Sequence, residues 1–261
     1  MTTERFIRLE VEDGIAVLTN DRPEKHNAAN DAMDQQLFDA LDEIRSRQDL
    51  RVVLWRGEGR SFSSGRDTSQ IGVRTEDISN FDFIERGHRR SQAFFDLPVP
   101  MVVEMKGWVI GGSFERALLA DIRIAGESAK MMLPEIKHGV VPDSGGTARL
   151  FQIAGHGLVS DLALTGRTMD AVEALRHGIV SRVVPDAELE AASRALCQEI
   201  ASHPPFAIRM FRRTLSRMAN PLVQHSMQEE AMGQSAIYET SDYAEMKKAR
   251  LEGRDPRYRG R

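Results

Sequence analysis

The chain opens with two stretches in which apolar and polar residues alternate. In FIRLEVEDGIAVLTN, residues 6–20, a turn at Glu12-Asp13-Gly14 separates the two stretches. Alternation with a period of two is typical of half-buried strands, and a glycine-containing turn between two such runs indicates a hairpin. We therefore predict that the chain begins with two antiparallel strands.

A helical pattern replaces the alternation after the RPEKHNAAN loop. Met33, Leu37, Leu41 and Ile44 are three or four residues apart, which places them on one face of a helix. Asn30 precedes the first of them, and asparagine is a preferred N-cap residue because its side chain accepts a hydrogen bond from the first turn. The pattern predicts a helix that begins just after Asn30.

Strands and helices alternate through the next part of the chain. The predicted order is a buried strand in RVVLWRG, a helix from Phe83 to Phe95, a strand in PVPMVVEMKG that ends at Gly107, a short helix through Ala120 and a strand in DIRIAG. Strands that alternate with helices at this interval indicate α/β winding with parallel pairing.

The pattern becomes mainly helical after Gly166. MDAVEALRHG, AELEAASRALCQEIAS and PFAIRMFRRTLSRMA have helical spacing, and IVSRVVP is a lone strand between the first two. We therefore predict a core over residues 1–200 and a helical region over residues 201–261. The last 15 residues carry seven basic and two acidic side chains.

Composition narrows the class of protein. Of the 261 residues, 41% are hydrophobic and 28% are charged, and the formal net charge is −4, which gives no basic footprint for nucleic acid. The single cysteine, Cys197, excludes an internal disulfide framework and a cysteine-rich metal site. The N-terminus lacks an apolar signal region, and no run reaches the ~18 apolar residues of a membrane helix. We expect a cytoplasmic protein with no membrane, nucleic-acid or metal partner.

The first loop with unusual composition is Ser63-Ser64-Gly65-Arg66-Asp67. Small residues and glycine let the backbone approach a ligand closely and leave main-chain N–H groups free to donate. The same composition is also typical of a polar strand-to-helix connection, so both interpretations stay open at this point.

The second loop is GWVIGGSFE, residues 107–115. Glycines at the start of a helix expose N–H groups that favour an anion or a developing oxyanion. Glu115 fits a catalytic role, and it also fits the role of an acid that complements the helix dipole. The glycine spacing does not complete the dinucleotide fingerprint, which argues against a nicotinamide enzyme.

The third loop is MMLPEIKHGVVPDSGG, residues 131–146, with two acids, Glu135 and Asp143. Prolines restrict the chain around them, and acid–base chemistry requires positioned groups. Solvated loop charges are the alternative interpretation. The sequence has neither H-E-x-x-H nor G-x-S-x-G, which argues against a metalloprotease and a serine hydrolase.

Taken together, these stretches resemble the crotonase superfamily, the enoyl-CoA hydratases and isomerases. The resemblance covers nearly the whole chain and rests on DGIAVLTNDRPEKHNAAN, RSFSSGRDTSQ, the long stretch from PVPMVVEMKG to DSGGTARL, and the tail RDPRYRGR. It implies an α/β fold class, a crotonase-like spiral of ββα units with a helical C-terminal region.

The resemblance also implies a site. In the family, two backbone N–H groups form an oxyanion hole for the thioester carbonyl, and the matching positions here are Arg66 and Gly112. Hydratases of the family use two glutamates, which correspond to Glu115 and Glu135. By resemblance, Glu115 would hold and deprotonate water, and Glu135 would exchange the proton at C2. This makes a 2-enoyl-CoA hydratase the first hypothesis.

Three departures from the family pattern support other hypotheses. Phe114 and Arg116 surround the first glutamate with unusual bulk and charge. Asp143 stands where typical hydratases have glycine and where dienoyl-CoA isomerases have a catalytic aspartate. The alternatives are therefore an enoyl- or dienoyl-CoA isomerase that uses Glu135 and Asp143, and a non-catalytic acyl-CoA-binding protein.

The resemblance also suggests how the substrate is held. Coenzyme A would be part of the thioester substrate, and no separate cofactor is expected. The positions implied in binding it are Lys25, His26, Ser64, Gly65, Arg66 and Asp67. For Lys25, plain solvation explains the side chain equally well. Members of the family commonly form trimers or paired trimers through their C-terminal helices, so we expect a homotrimer or homohexamer.

Overall fold

The computed structural model describes residues 4–70 and 77–261. Its strands are β1 Ile7–Glu12, β2 Ile15–Asn20, β3 Val52–Gly57, β4 Met101–Met105, β5 Trp108–Ile110, β6 Ile122–Gly126, β7 Lys130–Met132, β8 Thr168–Asp170 and β9 Arg182–Val184. Its α-helices are α1 Asp31–Ser46, α2 Asn80–Gln92, α3 Gly112–Leu118, α4 Gly146–Thr165, α5 Ala171–Arg176, α6 Leu189–Ser202, α7 Pro205–Tyr238 and α8 Ser241–Glu252.

The larger sheet has six strands in the order β1-β2-β3-β4-β6-β9. β1 and β2 are antiparallel and form the predicted hairpin, with Asp13 and Gly14 in left-handed conformations at the turn. Every later neighbour in this sheet pairs in parallel. The predicted hairpin and the predicted parallel pairing are both confirmed.

A smaller sheet of β5, β7 and β8 lies beside the larger one. The strand predicted in PVPMVVEMKG extended to Gly107 and β5 was not predicted, because the chain turns at this glycine. Gly107 has a φ of +52°, and a Cβ on it would lie 2.1 Å from the carbonyl oxygen of Arg60. The turn ends β4 at Met105 and directs the chain into the second sheet.

Hydrophobic side chains cover both faces of the larger sheet. Along β3 the side chains alternate, so that Val53 and Trp55 belong to the main core while Val52 and Leu54 face the other layer. α6 covers that other layer through residues such as Leu196. A strand that is buried on both faces has an almost continuous apolar sequence, as RVVLWRG does.

Two of the predicted helices can be compared directly with the structure. α1 begins as predicted, and Oδ1 of Asn30 accepts a hydrogen bond of 2.8 Å from the N–H of Met33. α2 starts at Asn80 and ends at Gln92, so the prediction of Phe83–Phe95 was displaced by three residues. Ser79 caps this helix through its side chain, and that cap was not recognised.

The 20-residue helix α4 was not predicted. Gly155, within it, has a left-handed conformation that kinks the helix and interrupts the periodic pattern. The C-terminal part is helical as predicted, and α7, 34 residues long, packs against α2 and α4. Within the described ranges, no helix combines the length and the apolar character that crossing a membrane requires.

Candidate active site

The three loops singled out in the sequence meet at one cavity of about 550 Å³. The cavity lies between α1, α2 and α3 and is closed by the loop that precedes α4 and by α7. Residues from all three loops line it: Ser64, Gly65 and Arg66 from the first, Gly111, Gly112 and Glu115 from the second, and Glu135, Asp143 and Ser144 from the third.

Two backbone N–H groups at the cavity, those of Arg66 and Gly112, donate to no other group among the described residues. They are brought together because Ser63 pairs with β5, its carbonyl accepting from the N–H of Ile110 at 3.0 Å. Gly65 permits the close contact, since a Cβ on it would lie 2.7 Å from the carbonyl oxygen of Ile110. Two such N–H groups at a cavity can stabilise an oxyanion.

The side chain of Arg66 turns away from this pair of N–H groups. Its guanidinium forms an ion pair with Asp31 and lies 3.9 Å from Asp34, both on α1. Arg66 therefore combines a backbone N–H that is available to a ligand with a side chain that is held against α1.

Glu115 is almost completely buried, with an exposed fraction of 1%. Its Oε1 accepts hydrogen bonds from the N–H groups of Ser144 at 3.1 Å and Gly146 at 3.2 Å, and its Oε2 accepts one from Asp143 at 3.3 Å. A Cβ on Gly146 would lie 2.4 Å from the Cβ of Glu115, so only glycine allows this approach. The backbone before α4 thus fixes the carboxylate.

Glu135 lies in a short 3-10 turn, and its carboxyl group reaches the start of α3. Gly111 accommodates it, because a Cβ there would lie 2.8 Å from Oε1 of Glu135. The Oε2 atom is buried and has no hydrogen-bond partner among the described residues. An unpartnered buried carboxyl oxygen that lines a cavity is suited to exchange a proton with a ligand.

The carboxyl groups of the cavity influence one another. Burial raises the pKa of Glu115 well above its usual value, and the nearby Glu135 and Asp143 add to the effect. Burial likewise raises the pKa of Glu135 to about 7 and that of Asp143 to about 6, the latter against the opposing charge of Arg116. Protonated and ionised carboxyl groups therefore coexist near neutral pH, as acid–base catalysis requires.

Behind the loop lies a second pair of polar residues, which the sequence did not predict as part of the site. Oε2 of Glu230, on α7, accepts a hydrogen bond of 3.1 Å from the N–H of Gly145, and Nε2 of His88, on α2, donates to the carbonyl of Asp143 at 2.6 Å. Burial lowers the pKa of His88, which keeps its ring neutral near pH 7, and raises that of Glu230 to about 7. These two side chains hold the loop in addition to Glu115.

Replacing Glu230 by alanine is expected to disturb Glu115 through this loop. The N–H of Gly145 would lose its acceptor, and a buried donor without a partner costs about 1–3 kcal/mol. We expect a lower melting temperature and a kcat reduced by roughly tenfold. Glu230→Gln keeps an acceptor oxygen and should recover part of both. The exposed neighbour Glu229 provides the control, and equal effects of Glu229→Ala and Glu230→Ala would contradict the assignment.

The structure does not bring every predicted site residue to the cavity. Lys25 is exposed, and Nδ1 of His26 lies 3.0 Å from the hydroxyl of Ser61. Asp67 forms an ion pair of 2.7 Å with Arg22, which holds the pKa of Asp67 at about 2. None of the three lines the cavity. Their part in binding coenzyme A stays a prediction.

The two unusual neighbours of Glu115 have different positions. Phe114 is fully buried in the main core and does not line the cavity, which corrects the expectation that it surrounds the first acid. Arg116 does line the cavity, where it forms an ion pair of 2.7 Å with Asp34.

A cavity in which buried carboxyl groups face unused N–H donors is typical of acid–base enzymes whose reaction passes through an anion.

Comparison with known proteins identifies the family. A sequence profile described as enoyl-CoA hydratase/isomerase matches residues 10–261. A protein named "Probable enoyl-CoA hydratase echA8" from Mycobacterium tuberculosis is 31% identical over 257 residues, 98% of each chain. A carnitinyl-CoA dehydratase from Salmonella heidelberg is 33% identical over 251 residues, 95% of each chain.

Solved structures agree with this result. The crystal structure of an enoyl-CoA hydratase/isomerase from Pseudoalteromonas atlantica T6c has a TM-score of 0.89 at 27% identity, covering 98% of this chain and 100% of that one. An enoyl-CoA hydratase from Mycobacterium avium subsp. paratuberculosis K-10 has a TM-score of 0.86 at 26% identity, over 98% and 99% of the two chains. The predicted crotonase-like fold is confirmed. The chain belongs to the enoyl-CoA hydratase/isomerase family.

Proposed function

We propose that the protein is an enoyl-CoA hydratase, which adds water across the 2,3-double bond of a 2-enoyl-CoA thioester. The observation that carries the proposal is that Glu115 and Glu135 line the same cavity as the unused N–H groups of Arg66 and Gly112. The names of the two curated relatives, a hydratase and a dehydratase, describe the addition and the removal of water and support the same reaction class.

The first requirement of this reaction is an oxyanion site. The thioester carbonyl oxygen accepts hydrogen bonds from the N–H groups of Arg66 and Gly112, which strengthen as negative charge develops on the oxygen. Loss of one such donor typically raises the barrier by about 2.7–4 kcal/mol. Because both donors belong to the backbone, their positions depend on Gly65 and Gly111 rather than on the side chain of Arg66.

The second requirement is a pair of proton carriers. Glu115 accepts a proton from water while the water oxygen bonds to C3, and the electron pair of the double bond moves to the thioester as an enolate. Glu135 then gives its proton to C2, and the carbonyl forms again. One proton has passed from water to Glu115 and another from Glu135 to the product. Glu115 then releases its proton to solvent and Glu135 takes one up, which restores the enzyme.

Hydrogen bonding supports this division of the two roles. Three backbone N–H groups donate to the carboxylate of Glu115 and favour its ionised form, whereas Oε2 of Glu135 is buried and has no partner in the described part of the chain. This difference in hydrogen bonding supports Glu115 as the base and Glu135 as the acid, although burial raises the pKa of both.

Asp143 supports an isomerase as the second candidate. It lines the cavity with Glu135, and burial raises its pKa to about 6. A carboxyl group with this pKa can both accept and donate protons near neutrality. Such an enzyme would move a proton along a dienoyl chain between Glu135 and Asp143, without Glu115 as the base.

Replacing Asp143 by asparagine separates the two candidates. But-2-enoyl-CoA and a 3,5-dienoyl-CoA are incubated with the wild type and with Asp143→Asn, and the products are quantified. For a hydratase, Asp143→Asn retains more than about a tenth of the hydration rate, because general acid–base groups contribute typically 10²–10⁴-fold and Asp143 is not one of them. Loss of its negative charge also moves the pH optimum downward, since a like charge no longer raises the pKa of Glu115 and Glu135.

The contrary outcomes are equally distinct. Isomerisation of the diene that is lost in Asp143→Asn, together with no hydration by the wild type, would favour the isomerase. Tight binding of acyl-CoA without turnover of either substrate would favour the non-catalytic binding protein.

Coenzyme A binding and assembly complete the proposal. Ser64 and Gly65 line the cavity beside the N–H of Arg66, which supports a contact between them and the pantetheine part of the substrate. A homotrimer or homohexamer is supported by apolar side chains on the first half of α7, where Phe206 and Phe211 are exposed to 70% and 65%. Light scattering of the purified chain tests this assembly, which a monomer would contradict.

A further inference from the structure

A glycine in the middle of α2 opens part of the cavity wall. Gly87 lines the cavity, its backbone has no left-handed conformation, and a Cβ placed on it would meet no atom of the described residues within 4 Å. Glycine within a helix is destabilising relative to alanine. Neither backbone geometry nor close packing explains this glycine, whereas empty space for a ligand does.

One turn further along α2 lies Arg90, which also lines the cavity. Residues three apart are neighbours on one face of a helix, so the side chain of Arg90 borders the space over Gly87. Among the described residues its hydrogen-bond partner is the amide of Gln35, at 2.5 Å, and it forms no ion pair with a carboxylate there. Arg90 is therefore a cation at the cavity that has no direct ion pair among the described residues, although Asp34 lies within reach of its charge.

Neighbouring groups hold Arg90 in place, and within the described part of the chain no carboxylate pairs with it directly. Its guanidinium lies 5.5 Å from the ring centroid of Phe38. The two carboxylates on this side of the cavity, Asp31 and Asp34, already pair with Arg66 and Arg116 respectively. A pre-positioned guanidinium at the wall of a partly enclosed cavity is suited to bind a carboxylate through charge-assisted hydrogen bonds.

We propose that the acyl group of the substrate extends over Gly87 and ends in a carboxylate that binds the guanidinium of Arg90. This inference rests on the proposed function, since it names the class of acyl-CoA that the same cavity accepts. The preferred substrates are then monothioesters of unsaturated dicarboxylic acids rather than plain alkyl enoyl-CoAs of the same length.

Binding of saturated thioesters tests this proposal without depending on catalysis. Dissociation constants are measured by calorimetry for the mono-CoA thioesters of dicarboxylic acids with four to eight carbons, each paired with the alkyl acyl-CoA of the same length. Each pair shares the coenzyme A part, so the difference within a pair reports the distal group alone. The variants are Arg90→Gln and Gly87→Leu.

The controls are two matched changes outside the cavity. Arg89 is the exposed neighbour of Arg90 and pairs with Glu85, and Gly233 is an exposed glycine within α7 whose Cβ would also meet no atom within 4 Å in the described ranges. Arg89→Gln and Gly233→Leu should leave every dissociation constant close to that of the wild type.

The expected result is that at least one dicarboxylic thioester binds the wild type about tenfold more tightly than its alkyl counterpart, a difference of about 1.4 kcal/mol. Arg90→Gln removes this difference. Gly87→Leu fills the space and weakens the eight-carbon thioesters about tenfold more than the four-carbon ones.

Two outcomes would overturn the inference. If alkyl thioesters bind as tightly as dicarboxylic ones at every length, or if Arg89→Gln acts like Arg90→Gln, Arg90 does not recognise the acyl end. If butanoyl-CoA binds and but-2-enoyl-CoA is hydrated in the separate assay, the proposed function survives that failure. If no thioester binds at all, the proposed function fails together with the inference.

Discussion

Replacing Glu135 by glutamine is expected to lower kcat for hydration of but-2-enoyl-CoA by about 10²–10⁴-fold, the range typical of a general acid. Glutamine has nearly the same shape but cannot give a proton to C2. Binding of the thioester should change much less, because the oxyanion donors belong to Arg66 and Gly112. Steady-state kinetics separates the two effects, as a large loss in kcat with a small change in KM.

The same substitution should also reveal how the raised pKa of Glu135 affects stability. The carboxyl titrates near 4.5 in the unfolded chain and at about 7 in the folded one, so the native state binds the extra proton between these values. Its contribution to stability is therefore lost as pH rises from 4.5 to 7. Over this interval the free energy of unfolding of Glu135→Gln should increase relative to that of the wild type by roughly 1–3 kcal/mol. The melting temperature of the variant relative to the wild type should rise accordingly.

Glu127→Gln serves as the control, because Glu127 is exposed and lies outside the cavity. This variant should match the wild type in rate and in the pH dependence of its melting temperature. A Glu135→Gln enzyme that retained more than a tenth of the hydration rate would contradict the role of Glu135 as the acid.

Replacing Glu115 by glutamine is expected to cause a second loss of about 10²–10⁴-fold in hydration. An amide cannot take a proton from water. In addition, its single oxygen cannot accept from all three N–H groups that now donate to the carboxylate, those of Asp143, Ser144 and Gly146. A buried N–H without a partner costs about 1–3 kcal/mol, so Glu115→Gln should also lower the melting temperature, unlike Glu135→Gln at neutral pH.

The double variant shows whether the two glutamates act as a unit. Groups that serve one chemical step are strongly non-additive, so Glu115→Gln combined with Glu135→Gln should be only slightly slower than either single variant. A dienoyl-CoA isomerisation that persisted in Glu115→Gln would favour the pairing of Glu135 with Asp143. In the wild type, kcat/KM should fall on both sides of an optimum, because the active pair carries one proton.

Local signals predicted those parts of the fold that short-range chemistry determines. The hairpin followed from alternation and a glycine turn, and the start of α1 followed from the side chain of Asn30. The start of α2 was displaced because Ser79 and Asn80 resemble ordinary loop residues. β5 was missed because its existence depends on the contact between Gly107 and the carbonyl of Arg60, residues far apart in the sequence.

Some residues of the candidate site could likewise be predicted from the sequence, and others could not. Glu115, Glu135 and Asp143 stand in loops of distinctive composition, and the structure places all three at one cavity. Glu230 comes from an ordinary helix and has an exposed glutamate beside it. A signal existed, because Glu230 falls on the same helical face as the buried Val223, Met227 and Ala231. A charged residue within an apolar stripe requires a buried partner, and only the folded chain shows that this partner is Gly145.

The contact between Gly146 and Glu115 divides the cavity into parts with different capacities for evolutionary change. Any side chain at Gly146 would displace the carboxylate, so the wall formed by α3 and α4 is closed to variation by single substitutions. The opposite wall, α2, has open space at Gly87 and tolerates larger residues without moving the catalytic groups. New substrate preferences within this scaffold are therefore accessible through α2, and a directed-evolution library limited to Gly87 and Arg90, with His88 kept, would sample substrate range while conserving the chemistry.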